Sequence, residues 1–231
     1  MRAVRAVPRF RAVAIGVLTA LALAAAPRAA TTAPAYDRGP TDASSAAVVA
    51  EATGRAASAG AGTRRALRPL AELSARRLRT ADLVAAAKWG TGQSIDDPER
   101  ERQVLADVAR QAGEVGGDPV ATVAVFRDQI EANKVVQRAL HRQWRAAPAS
   151  APTERPDLAE VRAEISRING GLVRAIAAAE PARTAWPCPL VLLSEAARAH
   201  RNHALDGLHG VALARGLRSV CQPPPTASAG R

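Results

Sequence analysis

Seven residues at alternating spacings of three and four, Val123, Phe126, Ile130, Asn133, Gln137, Leu140 and Trp144, fall on one face of a single helix. Five are apolar and define a seam that a helix of this kind must bury against other elements. Two amides, Asn133 and Gln137, interrupt that seam one turn apart. Buried amides need hydrogen-bond partners, because each unsatisfied polar group costs about 1–3 kcal/mol.

The pattern recurs on two other stretches. Leu70, Leu73, Arg77, Ala81, Val84 and Lys88 share a stripe; Arg77 and Lys88 are eleven residues apart, so both point the same way. Downstream, Leu158, Arg162, Ile165, Leu172 and Ile176 flank an inward Arg162. Arg100 falls in the first turn of a further helix, beside Asp96, Asp97, Glu99 and Glu101. Any one such residue is ordinarily a side chain snorkelling to water or a structural ion pair. Three cations in seams, with no acid in the same stripes, are a different matter. Leaving a buried charge without its partner costs about 3–5 kcal/mol, and a small polyanion held between helices resolves that cost. Lys88 is one of two lysines against thirty arginines, which suggests a need for a compact point donor at that position.

No sustained run of alternating β-branched residues is present, and alanine and arginine dominate, so the expected fold class is all-α. The expected architecture is a single-domain bundle of about six helices with a disulfide-closed C-terminal helical hairpin. Helix one is expected over Pro69–Trp89, ended by Gly90 and Gly92. Helix two starts at Asp96-Asp97-Pro98 and fades over 113–117; helix three starts at Asp118-Pro119 and runs to about Arg145. After a proline-rich link, Asp157 caps helix four, which continues to about Glu180 although Asn169-Gly170-Gly171 weakens it. Pro187-Cys188-Pro189 forces a break. Cys188 and Cys221 are the only cysteines, and an even pair in an exported chain suggests a disulfide. A straight helix over Pro189–Arg218 would be about 45 Å long, whereas bridged Cα atoms lie within about 7 Å. If the pair is bridged, the segment doubles back, with its turn expected around His200–Leu205.

The net charge of +11 invites a nucleic-acid reading. Residues 1–35, however, carry Arg2, Arg5, Arg9, Arg11 and Arg28 and no acid, and they read as a secretory signal peptide. Four arginines precede an apolar run over Ala12–Ala26 that is short for a membrane span, and Ala33-Pro34-Ala35 offers a cleavage site. Without them the chain has 27 bases against 21 acids, a moderately basic protein. Residues 36–66 are expected to be a flexible leader, 67–222 the folded domain and 223–231 a disordered tail.

The residues in the seams resemble those of the secreted subclass of the all-helical chorismate mutases. The signatures are Arg77-Leu78 with Val84-Ala85-Ala86-Ala87-Lys88-Trp89, then Ile95-Asp96-Asp97-Pro98-Glu99-Arg100-Glu101. Val125-Phe126-Arg127-Asp128-Gln129-Ile130 leads to Asn133 and Gln137, and Asp157-Leu158 leads to Arg162. The two cysteines fall where that subclass places its disulfide. The resemblance implies a [3,3] rearrangement of chorismate to prephenate, with no cofactor and no metal. Arg77, Arg100 and Arg162 would bind the two carboxylates. Lys88 and Gln137 would be catalytic, donating to the ether oxygen, and Asn133 would position the ring substituents. Related secreted enzymes often carry glutamate at the Gln137 position and threonine at Asn133, and Val104 replaces a polar residue in some. The resemblance also implies a homodimer, a secreted or periplasmic location, and no nucleic-acid or membrane partner after signal removal.

Two other readings compete. A non-enzymatic exported helical protein could use Arg64-Arg65 and Arg76-Arg77 to bind acidic polymers or membrane surfaces, but aromatics are not interleaved with the basic residues. His200, His203, Asp206 and His209 could suggest a metal site, but a turn at 200–205 would put them on different helices.

Overall fold

The computed structural model describes residues 42–222, and the expected signal segment, the first residues of the expected leader and the expected tail lie outside the described residues. Among the described residues there are seven α-helices and no strand: α1 (Asp42–Lys88), α2 (Pro98–Glu114), α3 (Pro119–Ala146), α4 (Leu158–Ala178), α5 (Glu180–Thr184), α6 (Cys188–Asn202) and α7 (Gly207–Gly216). One 3-10 turn, Pro148–Ser150, lies in the proline-rich link. None of these helices is long and apolar enough to cross a membrane.

The caps work as the sequence implies. Asp97, Asp118 and Asp157 each accept main-chain N–H groups in the first turn of α2, α3 and α4, and proline follows the first two. These contacts satisfy donors that a helix start otherwise leaves orphaned. The core is one cluster: Leu67, Leu70 and Leu78 of α1, Val125, Phe126 and Val136 of α3, and Leu172, Val173 and Ile176 of α4. α7 closes it with Leu213, followed by Leu217 and Val220.

Helix α1 departs from expectation. It begins at Asp42, not near Pro69, so residues 42–66 are helical where a flexible leader was expected, and Pro69 sits inside the helix. The cause is propensity without packing. Alanine is the best helix former, whereas an apolar period registers only where a face is buried. Among the described side chains burial begins at Thr63 and Leu67, and Pro69 faces solvent between the buried Leu67 and Leu70. An interior proline costs about 3 kcal/mol, which the packing of its neighbours must offset.

The C-terminal hairpin forms as inferred. Cys188 and Cys221 are bonded, with Cα atoms 5.8 Å apart, and the turn between α6 and α7 falls at 203–206. Arg183, 2% exposed, donates from Nε to the Val220 carbonyl at 2.8 Å, and Gln222 N–H returns to the Arg183 carbonyl at 2.9 Å. Gly216 lets α7 approach α3 closely: a Cβ there would lie 3.0 Å from Gln129 Nε2, so that side chain would have to give.

The histidines of the discarded metal reading are structural. His203 Nε2 meets Glu72 Oε2 at 2.9 Å. His209, buried in α7, has Nδ1 2.8 Å from Asp206 Oδ1 and Nε2 2.9 Å from Asp82 Oδ1 of α1. Two carboxylate oxygens can only accept, so both ring nitrogens must donate and the imidazolium is the matched form. The hydrogen bond to Asp82, with help from Asp206, outweighs burial and raises the His209 pKa from 6.5 to about 9. A raised base stabilises the fold fully below its unfolded pKa and loses that contribution as pH climbs through the folded value. Thermal melts should therefore show Tm falling between pH 6.5 and about 9, and His209→Gln should flatten that slope.

Candidate active site

All six substrate-site expectations converge on one cleft of about 670 Å³, counting its mouth. α1 contributes Arg77, Val84 and Lys88; α2 contributes Arg100, Glu101 and Val104. α3 contributes Ile130, Asn133, Lys134 and Gln137, α4 contributes Leu158, Arg162 and Ile165, and the α1–α2 loop adds Ile95 and Asp97. The lining itself holds five cations and two carboxylates, and Glu131 and Asp96 at its edge add to the pairing of Lys134.

Arg77 is the deepest of these cations, 5% exposed. Its Nε donates to Asn169 Oδ1 at 2.9 Å and its Nη1 to the Gln129 carbonyl at 3.0 Å, and its guanidinium stands 5.9 Å from the Phe126 ring centroid. Both acceptors are neutral. Burial lowers the Arg77 pKa from its ordinary value to about 10, which leaves it a cation at neutral pH.

Lys88 lies at the end of α1, 6% exposed. Gly90 and Gly92, with φ of 70° and 75°, turn the chain back in a conformation other residues adopt only with strain. The returning loop brings the Ser94 and Ile95 carbonyls to 2.7 and 3.2 Å from Nζ. Desolvation lowers the lysine pKa below its ordinary value, opposed by Asp97 and reinforced by Arg162. Trp89, His141 and Trp144 pack edge to face around the same helix end, and His141 Nε2 sits 2.9 Å from the Ala85 carbonyl.

Asn133 is buried and donates back to the Gln129 carbonyl at 3.3 Å. Gln137, 5% exposed, has a buried Oε1 with no hydrogen-bond partner. Arg100 donates to Gln103 Oε1 at 3.3 Å and remains half-buried.

One expectation needs correction. Acids were expected to cluster away from the seams, but the start of α2 carries Asp97 and Glu101 into the cleft. Arg162 is 40% exposed and pairs with Asp97 at 3.5 Å, so it is neither fully buried nor uncompensated. Sequence periodicity treats each helix alone and cannot show that the α1–α2 loop folds an acidic cap onto α4.

Three residues escaped the sequence reading. Lys134, 9% exposed, lines the cleft and contacts Glu131, Glu101 and Asp96 at 2.5, 3.1 and 3.4 Å. Burial pulls its pKa down, but hydrogen bonds to Glu131 and Glu101 leave it above the ordinary lysine value. Gln129, 2% exposed, donates to Ser74 Oγ and to the Gly216 carbonyl. Asn169 follows Ile165 by four on the Arg162 stripe, a signal that was present but masked by the glycines after it.

Residues 68–138 match the family described as chorismate mutase type II. The chain is 42% identical over 172 residues to a secreted chorismate mutase of Mycolicibacterium smegmatis, covering 71% of this chain and 88% of that protein. The chain belongs to the chorismate mutase type II family. It is also 34% identical over 161 residues to a secreted chorismate mutase of Mycobacterium tuberculosis, covering 70% of this chain and 81% of that one. Among solved structures it is similar to a chorismate mutase from Burkholderia phymatum, with a TM-score of 0.65 and 36% identity over 69% of this chain and 98% of that one. A chorismate mutase from Burkholderia thailandensis gives the same TM-score at 37% identity, covering 68% and 99%. The cleft therefore lies in a fold shared with enzymes of this name.

Proposed function

We propose that the cleft isomerises chorismate to prephenate, and that Arg77, a buried cation resting wholly on neutral acceptors, is the observation that carries this assignment. The substrate is a dicarboxylate with an enolpyruvyl ether. Its rearrangement breaks the ether C–O bond as a new C–C bond forms, and it needs no proton transfer or external electrons. Catalysis then reduces to selecting the folded conformer and stabilising the charge that builds on the ether oxygen.

Arg77, Arg100 and Arg162 bind the carboxylates in this reading. Arg162 is held by Asp97 at 3.5 Å, a loose and partly exposed pair from which a substrate carboxylate can recruit it. Lys88 and the Gln137 amide donate to the ether oxygen. The unpartnered Gln137 atom is the acceptor Oε1, which a substrate hydroxyl would complete, while donation to the ether oxygen falls to the amide Nε2. Asn133 positions the ring substituents. A millionfold acceleration corresponds to about 8 kcal/mol, within reach of two dry hydrogen bonds that tighten in the transition state together with conformer selection.

Export through a signal at residues 1–35 fits relatives that are named as secreted. A homodimer is part of the same proposal. The exposed Trp186, Leu190 and Leu193 along the start of α6 supply an apolar face of the kind that self-association covers.

Loss of chorismate absorbance on mixing with purified protein tests the assignment. Lys88→Ala and Arg162→Ala should each lower kcat/KM by about 10²–10³-fold, the scale of losing one positioned donor, with helical circular dichroism unchanged. A folded wild-type protein without turnover would remove the enzyme assignment.

The pH profile separates the two ether donors. An amide donates at every pH, so activity should stay level from about pH 6 to 8 and fall only as Lys88 deprotonates, below the ordinary lysine value of 10.5. Gln137→Glu installs a carboxyl that donates only when protonated, so activity of that variant should decline steadily with rising pH. A wild-type profile that already falls steeply between about pH 6 and 8 would count against Gln137 as a donor.

A further inference from the structure

Asn169 occupies a position where stability alone would favour a carboxylate. It lies on α4 between the buried Ile168 and Leu172, is 5% exposed itself, and accepts the Arg77 Nε–H at 2.9 Å. The second protein acceptor, the Gln129 carbonyl at 3.0 Å from Nη1, is shared with Asn133 Nδ2 at 3.3 Å. These two contacts use Nε and Nη1 and fix the plane of the guanidinium. Aspartate has nearly the same shape as asparagine and would turn the present cation–amide hydrogen bond into a full ion pair. It would also cancel the Arg77 charge before any substrate arrived.

We propose that Asn169 is a positioning and specificity-determining residue, whose neutral amide oxygen orients the Arg77 guanidinium while keeping its full charge available to a substrate carboxylate. The proposal rests on the assignment of the cleft to chorismate. It deepens that assignment by explaining why a residue outside the cleft lining controls which anions the cleft prefers. Asn169 is held by the α4 packing and cannot swing to solvent, so the orientation it imposes is fixed before binding. An amide costs the fold a stronger ion pair, and that loss is recovered only when a dianion binds.

The test compares Asn169→Asp with Asn169→Ser in the full protein, by thermal melting and by steady-state kinetics with chorismate. Asn169→Asp should melt at or above the wild-type temperature, while its KM for chorismate rises by about tenfold or more and kcat changes less, the pattern of lost ground-state binding. Asn169→Ser is neutral but too short to reach Nε, so it should melt below wild type yet keep a lower KM than the aspartate variant. Stability and affinity then move in opposite directions, which a purely structural residue cannot produce. A KM for Asn169→Asp within about twofold of wild type would overturn the proposal, as would a variant that fails to fold or loses Tm and affinity together. Wild-type protein without turnover would sink the chorismate assignment, whereas wild-type turnover with an unchanged Asn169→Asp KM sinks this proposal alone.

Discussion

The Arg77 guanidinium is buried in a bundle that offers it no carboxylate, and much of the surrounding architecture follows from keeping it there. Two neutral acceptors come from two different helices, Asn169 on α4 and the Gln129 carbonyl on α3, so α1, α3 and α4 must meet in one register. The side chain of Gln129 carries that requirement outward, to Ser74 on α1 and to the Gly216 carbonyl on α7. A buried cation without a carboxylate partner costs the fold stability. Of the other cations of the cleft, Lys134 is paired with three acids and Arg162 with Asp97, which among the described residues leaves Arg77, Lys88 and Arg100 without a salt bridge.

The C-terminal hairpin supports the site from behind. Its disulfide closes a 33-residue separation, and α7 lies close enough to α3 that a Cβ at 216 would press on the Gln129 side chain. Asp128 Oδ2 accepts the Ser219 N–H at 2.9 Å, one residue before Gln129, so the same turn of α3 is braced twice. His209 adds an ion-paired clasp from α7 to Asp82 on α1. Export to an oxidising compartment fits a fold whose last two helices are pinned in this way.

Much of this was legible in the sequence because helices report their buried faces by period. The stripes through Arg77 and Lys88, through Asn133 and Gln137, and through Arg162 each pointed inward, and the cleft gathers all three. Proline and aspartate at the helix starts set boundaries to within a residue or two. What was not legible depended on pairings between elements. Nothing in a one-helix pattern shows the α1–α2 loop delivering Asp97 to Arg162 or the Ser94 and Ile95 carbonyls to Lys88. The early start of α1 escaped for the opposite reason: that segment is helical by propensity and, being exposed over much of 51–62, carries no apolar period to read.

The central claim is that the cleft stores positive charge for a dianion. Prephenate and phenylpyruvate share the pyruvyl side chain, but phenylpyruvate has an aromatic ring without the ring carboxylate and hydroxyl, so each can be added to the protein and its effect on Tm followed. A ligand that binds only the folded state raises Tm, and at a given concentration the tighter binder raises it more. The account predicts a clear rise with prephenate and little with the monocarboxylate at the same concentration. Equal shifts, or none with either, would contradict it.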